Sequence, residues 1–208
     1  MSLFKRFFAW SMATGDAAQE RIYGAIKRDL FAGVRGIVLE LGPGTGVNLP
    51  FMPAGIDWIG AEPNLHMHPY IQKKARDRGL SIRLVTDSAG ALSLPDASVD
   101  TVISTLVLCS VPDQAAALRE IRRVLKPGGR FYFIEHVAAP AGRLRRAQHL
   151  IKPFWRVIGD GCCPDRDTGD RIREAGFAEV HLERFNARMP IAIVRPHIRG
   201  HAVRANAA

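Results

Sequence analysis

Short unbroken apolar runs alternate along this chain with stretches whose apolar residues recur at helical spacing, so the pattern predicts strands and helices in alternation. Residues 16–31 place Ala17, Ile22, Ile26 and Leu30 near a 3.6-residue repeat, a helix that Gly33 and Gly36 end. Ile37, Val38, Leu39 and Leu41 follow as a first strand apolar on both faces, the signature of a parallel sheet. Asn48-Leu49-Pro50 starts a short helix that Pro53 and Gly55 stop. Strands are predicted at 56–61, 81–85, 99–104, 130–134 and 178–184, and helices at 65–78, 113–125 and 168–175. Residues 142–158 form a basic amphipathic segment, with Leu144, Ala147, Ile151, Trp155 and Ile158 opposite Arg143, Arg146 and Lys152, and with Pro153 expected to kink it. The last strand is expected in two pieces, 191–195 and 201–204, with Pro196 as the break.

The first strand runs into Gly42-Pro43-Gly44-Thr45-Gly46, with the acid Glu40 just before it. Alternating glycines permit a tight turn and let a ligand touch bare backbone. A dinucleotide fingerprint needs a third glycine where Val47 stands, and no lysine-containing phosphate loop is present. The second strand ends in Glu62-Pro63, and a carboxylate there suits a ribose diol, because it accepts two hydrogen bonds. Thr105 and Leu106 follow the fourth strand at its carboxyl end, where open α/β sheets bind ligands.

Composition narrows the class. A chain of 208 residues, 47% of them hydrophobic, suits one folded α/β domain, with 1–32 a helical cap or surface segment of it and 33–208 its body. No apolar run approaches the ~20 residues that a membrane-spanning helix needs, and no secretory signal stands at the start. The three cysteines, Cys109, Cys162 and Cys163, form no C-x-x-C pair, so spacing indicates neither a disulfide framework nor a metal site, and a reducing cytoplasm is expected. The net charge of +9 is concentrated in residues 119–156 and 184–208. No nucleic-acid motif accompanies these basic blocks, so no nucleic-acid partner is expected. Residues 1–12 carry Phe4, Phe7, Phe8 and Trp10 around Lys5-Arg6. They are suited either to packing on the domain and closing a pocket or to lying on an anionic membrane surface.

The order acid, glycine loop, Glu62, Asp87-Ser88-Ala89 ahead of Leu94-Pro95-Asp96-Ala97-Ser98-Val99-Asp100, and Val124-Leu125-Lys126-Pro127-Gly128-Gly129 resembles the class I S-adenosylmethionine-dependent methyltransferases. The resemblance implies a Rossmann-like α/β fold with a mostly parallel seven-stranded sheet in the order 3-2-1-4-5-7-6, last strand antiparallel, helices on both faces. It implies S-adenosyl-L-methionine as cofactor, held by Glu40, Gly42, Gly44, Gly46, Glu62, Pro63, Ser88, Ala89, Thr105 and Leu106, with the adenine edge at Ser88 and Ala89. Ser88 stands where the family more often has an acid. Four further stretches are similar to the methyltransferase-like 7 proteins, which are membrane-associated thiol S-methyltransferases. These are residues 104–111, Phe131 to Ala138 with its Glu135-His136, Gly159-Asp160-Gly161-Cys162-Cys163, and Val194 to Ile198. The long apolar N-terminal anchor of those proteins has only residues 1–12 as its counterpart here.

That likeness implies a small hydrophobic thiol as methyl acceptor. An amine, including a phosphatidylethanolamine head group, is the alternative, and a cofactor-binding protein without turnover is a third class. Candidate groups to hold or deprotonate the acceptor are His136, then Asp160, then His197, while Cys162 and Cys163 are candidates to line its pocket.

Overall fold

A computed structural model describes residues 3–206 of the chain. Seven strands form one sheet in the order β3-β2-β1-β4-β5-β7-β6. They are β1 (Ile37–Leu41), β2 (Asp57–Ala61), β3 (Ile82–Val85), β4 (Val99–Thr105), β5 (Leu125–His136), β6 (Glu179–Asn186) and β7 (Pro196–Val203). All neighbours pair in parallel except β7, which runs antiparallel to both β5 and β6. The strand order reverses between β1 and β4, so their carboxyl ends open the crevice where such sheets take ligands. Among the described residues five α-helices accompany the sheet: α1 (Leu3–Phe31), α2 (His68–Asp77), α3 (Gln114–Val124), α4 (Arg143–Ile158) and α5 (Thr168–Glu174).

The central strands bury on both faces, as their continuous apolar runs require. One apolar cluster gathers Leu39, Val102, Leu118, Ile121, Phe131 and Phe133 with α3 and α5. A second, with Val38, Trp58, Ile71, Ile103 and Tyr132, packs under α1 and α2. Asp113 caps α3 through the backbone N–H of Ala116 at 3.0 Å.

Several expected boundaries shift for physical reasons. The two N-terminal pieces are one helix, α1, which passes through Gly15 without a break. Its buried stripe is Tyr23, Gly24, Lys27 and Phe31, one position round from the aliphatic stripe read in the sequence, and it includes a lysine. The helix expected after the glycine loop is a single 3-10 turn, Leu49–Phe51. Pro196 opens β7 rather than breaking it, because the first residue of a strand is where a missing N–H costs least. Residues 192–194 form a 3-10 turn instead of a strand. The Lys126-Pro127-Gly128-Gly129 turn lies within β5 as an irregularity, where pairing with β4 slips between Val99 and Thr101. Finally, α4 continues through Pro153 to Ile158 yet leaves Leu150, Phe154, Val157 and Ile158 exposed, so its apolar face does not join the core.

Candidate active site

The carboxyl ends of β1, β2, β4 and β5 face one cavity of about 860 Å³, which α1 closes with Phe8, Met12 and Tyr23. Two glycines of the loop are dictated by packing as well as by conformation. Gly42 has φ +50°, and a Cβ there would lie 2.8 Å from Val107. Gly46 has φ +78°, and a Cβ would press within 3.3 Å of the Ile71 backbone in α2. Glu62 ties this loop to β2: Oε2 accepts the N–H of Gly44 at 3.0 Å and Oε1 that of Asn64 at 2.8 Å. Each oxygen keeps a second lone pair, enough for a diol. Pro63, Ser88 and Ala89 line the same cavity. The Ser88 segment is pinned from α3, where Glu120 accepts the Leu92 N–H and Arg123 donates to the carbonyls of Leu92 and Leu94.

Glu40 is sealed from solvent, with Oε1 receiving Asn48 Nδ2 at 2.9 Å and Oε2 receiving Trp58 Nε1 at 3.0 Å. Burial pushes its pKa up to about 7, against the pull of those two bonds and of Lys27. Lys27 is itself fully buried, and desolvation lowers it to about 8. Asn48 also donates to Thr105 Oγ1 at 3.0 Å, while its Oδ1 is buried with no partner among the described residues. A lone acceptor beside a buried carboxylate, above a loop of bare backbone, fits the ammonium end of a methionine.

Beyond β1 the cavity changes character. Leu106 has φ +60°, unusual for a branched side chain, and its N–H reaches the Ile134 carbonyl at 2.8 Å. The turn that follows is organised by Glu135, fully buried, which accepts from Ser104 Oγ at 2.6 Å, Val107 N at 3.2 Å and Cys109 N at 3.3 Å. Burial raises the Glu135 pKa and these donors oppose it. His136, the next residue, donates Nε2–H to the Ile193 carbonyl at 3.2 Å, since a carbonyl can only accept. That fixes the tautomer and leaves the Nδ1 lone pair 3.4 Å from Cys162 Sγ. His197 lies behind it, its Nε2 accepting from Tyr23 Oη at 2.8 Å, and burial lowers it to about 4, so it is neutral. Asp160, at φ +46°, holds Lys5 of α1 with both oxygens at 2.8 Å.

The methyltransferase-domain family profile matches residues 39–133. The chain is 38% identical to the human thiol S-methyltransferase TMT1B, over 97% of this chain and 88% of that protein. It is 34% identical to human TMT1A, over 96% and 87% respectively. The chain belongs to the S-adenosylmethionine-dependent methyltransferases, in the family of these thiol S-methyltransferases. A methyltransferase of Thermotoga maritima shares its fold at a TM-score of 0.70 and 20% identity, over 98% of this chain and 100% of that one. As in the rest of this family, its methyl donor is S-adenosyl-L-methionine.

All ten residues assigned to the donor from sequence lie at the strand ends and loops around this crevice, and nine of them line the cavity directly; Gly46 packs against α2 instead. His136 and Asp160 line it too, but Asp160 is engaged by a cation and His136 by a backbone carbonyl and a thiol. Cys162 lines the pocket, whereas Cys163 is buried and hydrogen-bonds by its N–H to the Cys109 carbonyl at 2.9 Å. Sequence reasoning missed Asn48, Lys27 and Glu135. The signal for Lys27 was present, a cation at i+4 between Tyr23 and Phe31. Spacing gave no metal-ligand cluster, but the fold brings Cys109, His136 and Cys162 together from three separate segments.

Glu62→Ala is expected to weaken S-adenosylmethionine by ~1–3 kcal/mol in calorimetry, the cost of losing charge-assisted hydrogen bonds. An unchanged affinity removes Glu62 from the ribose site. Glu40 gives a pH signature. Holding an ammonium requires its carboxylate form, so affinity for S-adenosylhomocysteine should rise as pH increases through about 7 and level off above it. Glu40→Gln should flatten that rise, and a variant that keeps the wild-type profile places the titrating group elsewhere.

Proposed function

We propose that this methyltransferase transfers the donor's methyl group to the sulfur of a small hydrophobic thiol. The observation that carries this reading is the chemistry of the acceptor end. Its walls include Phe8, Met12, Val111, Trp155, Met189 and Val194, and its polar groups include the thiols of Cys109 and Cys162 and the imidazoles of His136 and His197. The two carboxylates around Cys109, His136 and Cys162 are already engaged: Asp160 is paired with Lys5, and Glu135 is enclosed by its own donors. An amine would reach such a site only after losing both its charge and its water, whereas a thiol has little hydration to lose. The thiol S-methyltransferases TMT1A and TMT1B, similar over nearly the whole chain, support the same acceptor class.

The donor supplies an already activated methyl group, so the protein's work is alignment and exclusion of water. The glycine loop, Glu40 and Glu62 hold the donor, and α1 roofs it. His136 presents an imidazole lone pair at the acceptor end, beside Cys162. The apolar walls favour a transition state in which charge is dispersed.

The acceptor reaches this pocket beside an apolar surface. Phe7 and Trp10 of α1 are 61% and 56% exposed, and Phe154, Val157 and Ile158 of α4 are 71%, 67% and 68% exposed. The Lys5–Asp160 pair, whose residues line the cavity, brings the start of α1 beside the end of α4, the two elements that carry these patches. The same two helices carry Arg6, Arg143, Arg146 and Arg156, all partly or fully exposed. No helix among the described residues is long and apolar enough to cross a membrane. We propose that this face rests on an anionic bilayer, from which a hydrophobic thiol partitions into the cavity.

With labelled S-adenosylmethionine, alkyl and aryl thiols should be methylated at sulfur while primary amines and phosphatidylethanolamine vesicles are not. Methylation confined to the amine or the phospholipid overturns the thiol reading. Flotation with vesicles should depend on anionic lipid, each basic residue near the surface contributing ~1 kcal/mol. Phe154→Glu with Phe7→Glu should abolish it. Flotation that is indifferent to these substitutions assigns the surface another role.

A further inference from the structure

Three side chains that could bind a metal meet in the acceptor end of the cavity. The sulfurs of Cys109 and Cys162 and a ring nitrogen of His136 all lie within 4.8 Å of one another. They come from the turn after β4, the end of β5 and the turn after α4, and all three line the pocket. The nitrogen concerned is Nδ1, because Nε2 is committed to the Ile193 carbonyl. An imidazole that donates its far N–H to a backbone carbonyl while its near lone pair faces two sulfurs has the orientation that metal-bound histidines adopt.

Distances agree with a small tetrahedral ion. Bond lengths to zinc require edges of about 3.6 Å from nitrogen to sulfur and about 3.8 Å between sulfurs. The His136–Cys162 edge is 3.4 Å, and the other two edges are no longer than 4.8 Å, so side-chain motion on the order of 1 Å closes them. The backbone holds the set together, since Cys163 N–H bonds the Cys109 carbonyl at 2.9 Å, and Gln148 shares the Ile193 carbonyl with His136 at 2.8 Å. Charge agrees as well. Two thiolates beside the fully buried Glu135 would be untenable alone, but two thiolates, a neutral imidazole and a divalent cation sum to zero.

We infer that Cys109, His136 and Cys162 bind one zinc ion, whose fourth position faces the cavity and takes the acceptor sulfur. This deepens the thiol reading and rests on it for the identity of the fourth ligand. Two sulfurs and one nitrogen with an open position is a donor set of catalytic zinc, and thiolate is a preferred ligand of that ion. The acceptor thiol gives up its proton to water on binding. Its sulfur pair then forms the bond to the methyl carbon as the sulfonium–methyl bond breaks, the electrons of that bond staying on the donor sulfur. Sulfur leaves as a neutral thioether, a poor ligand, which frees the position. His136 is on this reading a ligand, not a proton carrier.

The test uses the full chain, stripped with a chelator and returned to zinc alone. One zinc per chain should survive gel filtration, measured by elemental mass spectrometry. Cys162→Ser, Cys109→Ser and His136→Ala should each weaken it by about 100-fold or more against a chromophoric chelator. Cys163→Ser, outside the cluster, should bind as the parent does. Cobalt in place of zinc should show thiolate-to-metal charge-transfer absorption in the parent chain, a readout that stands even if the Cys109 variant fails to fold. A chain that retains no stoichiometric ion, or whose ion is held equally by the Cys109 and Cys162 variants, overturns the site. The metal count does not depend on turnover. Zinc bound without thiol methylation leaves the site and removes the acceptor reading, whereas thiol methylation at an undiminished rate by the metal-free chain keeps the acceptor reading and overturns the zinc's part in binding the acceptor sulfur.

Discussion

A carboxylate sealed at the end of β5, with no ion-pair partner among the described residues, is the constraint on which the acceptor half of this enzyme depends. Glu135 cannot reach water, and burial raises its pKa. It is kept in place by hydrogen bonds from the Ser104 hydroxyl and from the backbone of the turn that follows β4. The turn in return has nowhere else to send those N–H groups, each costing ~1–3 kcal/mol if buried unpaired. This mutual need holds Leu106 in its left-handed conformation and sets Val107 against Gly42. It also aims Cys109 at the pocket and leaves His136, one residue on, facing the same space.

The donor half is organised by a parallel device on the other side of β1. Glu62 collects the N–H groups of Gly44 and Asn64, and Asn64 passes the connection on by donating from Nδ2 to the Lys5 carbonyl of α1 at 3.1 Å. Lys5 then spans to Asp160 beside the acceptor end. The roof of the cavity is therefore fastened to both halves, and a helix that carries none of the cofactor motifs becomes part of the site. Its exposed aromatics sit on the opposite side of the same turns.

The donor half was legible because its chemistry is local. Glycines that must adopt positive φ, a strand that ends in an acid and a turn before β5 each declare themselves within a few residues. Strand order followed from the resemblance that these motifs carry. The acceptor half was legible only in part: His136, Asp160, His197 and Cys162 were named and line the cavity, but the meeting of Cys109 with His136 and Cys162 exists only after folding. Cys109 reads as core by composition, and Cys162 as one of an odd trio, until Glu135 and the Asp160-Gly161 turn bring the two thiols to one imidazole. Lys27 was hidden because a cation on an apolar stripe ordinarily argues against burial there, and here a buried carboxylate, Glu40, offsets it. Pro196 misled for a related reason: a proline reads as a break wherever the register is unknown, and the antiparallel pairing that makes it a strand start is a long-range fact.

The cavity draws its donor side from one stretch between β1 and the end of β4, and its acceptor side from the scattered pieces α1, the turn after β4, the end of β5, the tail of α4 and the segment before β7. These two parts face different demands under selection. The contiguous part serves a reagent that never changes, so almost any alteration there is a loss. The scattered part is built from chain ends, turns and helix tips that carry little of the sheet's hydrogen bonding, where insertions and new side chains are tolerated. New acceptors would arise in a lineage with this layout by piecemeal editing of the roof and tail while the reagent site is inherited intact. Divergence in acceptor should then outrun divergence in fold.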